Sequence, residues 1–231
     1  MSSSDVSVVL VHGAWADGSS WAKVIAPLMA DGVKTVAAPL PLTSLVDDVA
    51  ALDRTLERVA PPVVLVGHAY AGGVIGAARS DKVKALVYVA ALAPDEGETV
   101  ADVFSRGKPH PQAPKLTPDS HGLIYPPEAA FAVAFAQNAS KEELAVLAAV
   151  QRPISPACIT VEVGRPLWKD RPAWFLVAEQ DRMIIEDNHC FMAERMKARI
   201  RSHPVDHTPL VTAPSYVVGI IREAIGEVVK G

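Results

Sequence analysis

The chain has 231 residues, half of them hydrophobic, and a formal net charge of −4 at pH 7. That length suits one α/β domain with a sizeable core. The apolar content excludes a disordered chain, and the charge balance lacks the basic footprint of a nucleic-acid binder. Two cysteines, Cys158 and Cys190, fit neither a disulfide framework nor a metal spacing. They are expected to be reduced packing residues, with a single bridge between them as the alternative. The N-terminus is polar without a basic region, and the first apolar run is too short for a signal segment or a membrane span. The expected compartment is the cytoplasm, with no membrane and no nucleic-acid partner.

Residues 6–11 are apolar except for Ser7 and stop at His12-Gly13, the pattern of a buried strand. Helical spacing follows over residues 20–31, then a short strand over 33–38. Residues 44–59 read as an amphipathic helix. Leu45, Val49, Leu52 and Leu56 form its apolar face, and Asp47, Asp48, Asp53 and Arg54 lie mostly opposite. Pro61-Pro62 stops that helix, and residues 63–66 form a third strand. A sharp glycine turn over 67–72 opens a helix to about Ser80, and residues 83–92 read as the next strand.

The alternation breaks after Pro94. Residues 94–171 are rich in Pro and Ala, with helical stretches at 126–137 and 140–151 and a possible short strand at 160–163. This stretch reads as an inserted helical cap rather than an independent domain, so residues 1–231 form a single domain. The alternation resumes with a strand at 173–177, a helix at 187–199, a strand at 199–203 and a final helix at 213–229. Apolar strands alternating with amphipathic helices imply an α/β fold. Its mostly parallel sheet has about six strands flanked by helices, and the site is expected at the carboxyl ends of the strands.

Three strand-end clusters carry chemistry. They are His12-Gly13-Ala14-Trp15, the turn Gly67-His68-Ala69-Tyr70-Ala71-Gly72, and a third region that supplies Asp181 and His207. Residues 10–15 resemble the oxyanion loop of α/β-hydrolases, residues 67–72 resemble their nucleophile elbow, and Glu179-Gln180-Asp181-Arg182 and Val205-Asp206-His207-Thr208 resemble their acid and base loops. The order nucleophile, acid, histidine matches that fold. The nearest subgroup in resemblance is the small esterases related to plant methylesterases and hydroxynitrile lyases.

The resemblance implies a carboxylic-ester hydrolase for a small to medium apolar ester, with no cofactor and no metal. Position 69 would hold the serine, Asp181 the acid and His207 the base. The backbone N–H groups of Ala14 and Tyr70 would stabilise the oxyanion. Trp15, Tyr125, Phe131, Phe135 and Trp168 are expected to form the apolar substrate pocket.

Residue 69 departs from the pattern, because alanine has no nucleophilic oxygen. Ala71 departs more mildly, at a place where the motif prefers glycine. Ala69 admits two readings: a natural non-catalytic homologue that binds a ligand, or a serine-to-alanine replacement that traps substrate. The intact loops around Asp181 and His207 favour the second. A hydroxynitrile lyase on this fold would carry a threonine at Gly13 and a lysine at Thr208, and a dehalogenase would need an aspartate at position 69.

Several residues have plainer expectations. His68 and His12 read as structural. His203 and His207 are four apart, but Pro204 lies between them, which argues against a metal pair. His110, His121 and His189 carry no pattern. Asp95 is a weaker candidate acid than Asp181, and Asp206 reads as a turn residue.

Overall fold

The computed structural model describes residues 2–230; Met1 and Gly231 lie outside the described residues. Six strands run parallel: β1 (Ser7–Val11), β2 (Lys34–Ala38), β3 (Val63–His68), β4 (Val83–Val89), β5 (Ala173–Ala178) and β6 (Arg199–His203). They lie in the order β2-β1-β3-β4-β5-β6. The unbroken apolar runs explain the arrangement. β1, β3 and β5 are buried at every position and occupy the interior, whereas β2 and β6, with their exposed residues, form the edges.

The helices are α1 (Ala22–Ala30), α2 (Leu45–Glu57), α3 (Ala71–Gly76), α4 (Val100–Phe104), α5 (Glu128–Ala130), α6 (Lys141–Ala149), α7 (Glu186–Arg195), α8 (Pro209–Thr212) and α9 (Pro214–Lys230). A single π turn, Phe131–Phe135, continues α5. Helices α1 and α9 pack on each other, α2 packs on α3, and α7 packs on β5. The chain leaves β1 for β2 in one direction and then crosses back to β3. The carboxyl ends of β1 and β3 therefore flank the point where the strand order reverses, the crevice in which such sheets hold ligands.

Several boundaries differ from the sequence pattern for local reasons. The fourth strand ends at Val89 rather than residue 92, because Ala90 turns to φ 44°. The freed Leu92 N–H then bonds the Ala69 carbonyl at 3.0 Å. Helix α3 stops at Gly76 instead of Ser80; three of its six residues are glycine, a weak helix former. Helix α7 stops at Arg195 rather than 199, with Lys197 in the left-handed region at φ 52°. Residues 160–163 form no strand, only an isolated bridge between Thr99 and Glu162.

Helix α4 was not expected, although Thr99 and Asp102 cap it reciprocally. Asp48 does not lie on a polar face; it is buried against the elbow. Both cysteines are free thiols. Among the described residues no helix is long and apolar enough to cross a membrane.

Candidate active site

The elbow between β3 and α3 is built by close approach. A Cβ on Gly67 would lie 2.9 Å from the Ala71 carbonyl oxygen, and one on Gly72 only 2.1 Å from that of Leu92. These contacts demand glycine and force the turn to be tight. Ala69, at its apex, sits at φ 49°, a left-handed conformation that costs any non-glycine residue energy. Ala71 is fully buried at the start of α3, so the milder departure from the motif leaves the turn in place.

The loop after β1 lies directly above. Gly13 is closely crowded: a Cβ there would meet the Ala69 Cβ at 3.0 Å and His68 Nδ1 at 3.1 Å, so a side chain would need its neighbours to shift. His12 braces this loop. Its Nδ1–H donates to the Gly13 carbonyl at 2.9 Å, and its Nε2 accepts from the Leu40 N–H at 3.0 Å. Burial keeps His12 below the usual imidazole range, so it stays neutral. No described residue accepts a hydrogen bond from the N–H of Ala14 or of Tyr70. The Tyr70 N–H also opens α3, where unpaired donors favour negative charge.

Asp181 follows β5 and His207 follows β6. His207 Nδ1–H donates to Asp181 Oδ2 at 2.7 Å. The carboxylate only accepts, so the proton sits on Nδ1 and the lone pair of Nε2 is left for the cavity that His207 lines. Asp181 Oδ1 accepts from the N–H groups of Met183 and Ile184 at 2.7 and 2.8 Å. Burial alone would raise the Asp181 pKa, but the facing imidazole of His207 and these amides outweigh it and hold the carboxyl below its usual range. His68 is structural in its contacts. Its Nε2–H donates to the His207 carbonyl at 2.7 Å, and burial drives its pKa to about 3.

Ala69, Ala14, Tyr70 and His207 all line one cavity of about 200 Å³. Its far wall comes from residues 94–171, including Val100, Phe104, Leu116, Ile154 and Ile159. No Lys, Arg, Asp or Glu lines it. The space therefore suits an uncharged apolar group whose one polar atom meets the two free N–H donors.

The aromatic residues divide. Trp15 lines the cavity and donates its indole N–H to the Ile124 carbonyl at 2.9 Å, and Phe135 lines it beside the His207 ring at 5.2 Å. Tyr125, Phe131 and Trp168 do not line it. Tyr125 points outward and is 45% exposed. Phe131 packs behind Phe135, ring against ring at 5.2 Å. Trp168 lies behind α3 with its indole N–H toward the Pro94 carbonyl at 3.4 Å.

Asp95 pairs with Lys169 at the surface, away from His207. His203 stacks on Tyr216 at 3.9 Å rather than joining His207. Asp206 is more than a turn residue. It is fully buried and accepts from the N–H groups of Asn138 and Thr208, and from the Thr212 hydroxyl at 2.6 Å. That ties the 94–171 segment to the base loop.

Sequence reasoning also missed a polar knot beneath the elbow. Tyr70 donates its hydroxyl to Asp48 Oδ2 at 2.7 Å, and the Leu42 N–H donates to Asp48 Oδ1 at 2.7 Å. Cys158 donates its thiol to Asp48 Oδ2 at 3.7 Å. Burial raises the Asp48 pKa despite these donors, and burial beside Asp48 pushes the Cys158 thiol up to about 12. Asp48 stands three residues after Leu45 and four before Leu52, so its spacing puts it at the edge of the apolar face of α2; what the spacing does not give is its partner.

The family model described as the alpha/beta hydrolase family matches residues 8–220. The chain belongs to that family. Among solved structures, a pyrethroid hydrolase from Sphingobium faniae superposes with a TM-score of 0.83 at 20% identity, covering 96% of this chain and 98% of that one. A methylesterase from Arabidopsis superposes with a TM-score of 0.77 at 17% identity, covering 96% and 99%. A variant of tomato methylketone synthase I complexed with beta-ketoheptanoate does so with a TM-score of 0.82 at 18% identity, covering 96% and 98%. At these identities the likeness is one of fold. No curated protein sequence matches the chain. Membership of the family supports a hydrolase role in general terms.

Proposed function

We propose that the cavity over Ala69 receives a small to medium apolar carboxylic ester, in a site organised as a serine esterase that lacks only the serine oxygen. The observation that carries this is the setting of Ala69. It is held at φ 49° on the elbow and shares one apolar cavity with the Ala14 and Tyr70 loops and with His207, which is bonded to Asp181 at 2.7 Å. The ester carbonyl oxygen would accept from the Ala14 and Tyr70 N–H groups. Residues 94–171 act as a cap that shapes the apolar pocket, with Trp15 and Phe135 as its aromatic walls.

With alanine at position 69 no acyl-enzyme forms. Loss of the nucleophile from such a triad costs on the order of 10⁶ in turnover. The chain therefore binds its ester and releases it almost unchanged. Ala69→Ser is expected to raise hydrolysis of p-nitrophenyl esters of short and medium acyl chains by at least about 10³. A serine variant that folds, binds the ester and hydrolyses it no faster than the parent would remove this reading.

A second reading has one observation in its favour: the His207–Asp181 pair and both free N–H groups stay in place where the nucleophile is absent. Decarboxylation of a β-keto acid needs those groups and no nucleophile, and although the cavity has no cation for the substrate carboxylate, that apolar lining favours its loss as neutral CO₂. The bond between carboxylate and α-carbon breaks and its electron pair passes to the keto oxygen, where the Ala14 and Tyr70 N–H groups hold the enolate. CO₂ leaves, and a proton taken from water through His207 restores the ketone. The solved methylketone synthase variant holds beta-ketoheptanoate on this fold. The chain with Ala69 intact would then release CO₂ from medium-chain β-keto acids faster than buffer does. An equal rate in buffer discards this reading and leaves the first.

A further inference from the structure

The dyad has a neighbour that no motif announces. His189, on α7, is fully buried with the Phe175 ring 5.7 Å away. The Ala178 N–H donates to its Nδ1 at 3.4 Å, so Nδ1 carries the lone pair and Nε2 the proton. Nε2 lies 3.5 Å from Asp181 Oδ2, the same oxygen that accepts the His207 Nδ1–H. No described residue forms a standard hydrogen bond with that Nε2.

We infer that His189 is a positioning residue, a neutral imidazole whose Nε2–H side lies beside Asp181 Oδ2 at 3.5 Å, short of a standard hydrogen bond, and whose dipole holds that carboxylate ionised and in line with His207. The inference rests on reading Asp181 and His207 as the acid–base pair, but not on any substrate. Burial drives the His189 pKa to about 4, so it adds a dipole and not a second positive charge. That distinction matters, because an imidazolium at this place would compete with His207 for the carboxylate. In a dry pocket an N–H dipole directed at a carboxylate is weakly screened. Asp181 thus accepts from Met183 and Ile184 on one oxygen and from His207 on the other, with the His189 imidazole a further 3.5 Å neighbour of that second oxygen.

The test begins with the unaltered chain, labelled with ¹⁵N-histidine. His189 is expected to be neutral near pH 7, with a pyrrole-type Nε2 and a pyridine-type Nδ1. A proton on Nδ1, or an imidazolium, would overturn the inference, whether or not any ester is turned over. The second arm compares His189→Leu with His189→Gln. The low-field resonance of the His207 Nδ1 proton should shift in the leucine variant and return toward its original position in glutamine, which keeps an N–H donor. An identical resonance in all three proteins would also overturn it. In an Ala69→Ser background, leucine should lower kcat about tenfold with KM unchanged, and glutamine should recover most of the loss. Failure of the serine variant to hydrolyse esters would remove the esterase reading and leave the NMR outcomes to decide this one.

Discussion

The strand-end loops and the 94–171 segment bound the same cavity and are built in opposite ways. The loops are held by short-range backbone geometry. Glycines without room for a Cβ fix the elbow, buried histidines brace the turns, and a buried carboxylate accepts from three N–H donors. The segment has only short helices and isolated bridges. It is fastened by separate long-range bonds along its length, among them Asn138 N–H to Asp206, the Thr208 hydroxyl to the Phe135 carbonyl at 3.1 Å, and the Trp15 indole to the Ile124 carbonyl. On the proposed reading the first region is a frame that directs charge and protons, and the second is a wall whose apolar area selects the ligand. The bonds that join them are then the places where a change in the wall reaches the frame.

The largest expected effect probes the frame through its buried histidines. His189 and His68 have pKa values depressed from 6.5 to about 4 and about 3, mainly by burial. Below pH 6.5 the unfolded chain therefore binds protons that the folded chain refuses. Stability present above pH 6.5 is lost as the pH falls toward those folded values. At about 1.4 kcal/mol per unit, His189 alone accounts for up to about 3 kcal/mol by about pH 4. The midpoint of urea unfolding should drop steadily between about pH 6.5 and pH 4.5, with a shallower slope in His189→Leu. A flat profile over that window would mean that the frame is not held by neutral imidazoles.

Next in size is the seam between frame and wall at Asp48. Asp48→Ala leaves the Tyr70 hydroxyl and the Leu42 N–H without their buried acceptor, and should cost about 2–4 kcal/mol in urea or thermal unfolding. Loss of less than about 0.5 kcal/mol would show that water replaces the carboxylate there.

The same contrast explains what the sequence reveals. β1, β3, β4 and β5 are mostly apolar runs, and the loops of Ala14, Ala69 and Asp181 adjoin the ends of three of them, so strand order apart, this part of the frame can be read locally. His207 instead follows the polar edge strand β6 and is legible through the resemblance of its loop and the chain order. The pairings that stitch elements together are not. Asp48 meets Tyr70 across 22 residues, and Asn138 meets Asp206 across 68. Neither pair has any local periodicity to mark it. His189 lies three and four positions before the buried Met192 and Ala193, so the helical spacing puts it on the inward face of α7, but nothing in the spacing names Asp181 as its neighbour. In the wall, aromatic residues alone are a poor guide. Phe135 reaches the cavity while Phe131, four positions earlier, turns away along the same π turn. The Thr99/Asp102 capping box is a local signal in the segment, and it starts the helix that brings Val100 and Phe104 to the cavity.

The smallest effect tests the wall itself. Leu116 is half-buried and lines both the cavity and a neighbouring pocket of about 270 Å³, which also shares Phe104 and Met183. It stands as a partition between the two spaces. Leu116→Ala removes apolar contact from a short ligand, at a cost of about 1 kcal/mol, and opens the route to the outer pocket for a longer one. Affinity for a short-chain ester should fall about fivefold while that for a chain several carbons longer holds or improves, measured as displacement of an apolar dye from the Ala69 chain. Tyr125→Ala provides the matched control. Tyr125 is aromatic and lies in the same segment, but it is 45% exposed and outside the cavity. Its truncation should leave both affinities within about twofold, as for other surface substitutions of up to about 0.5 kcal/mol. If Tyr125→Ala moved the chain-length preference as far as Leu116→Ala does, the ligand would be lying over the outer face of the segment, and the wall would have to be redrawn around it.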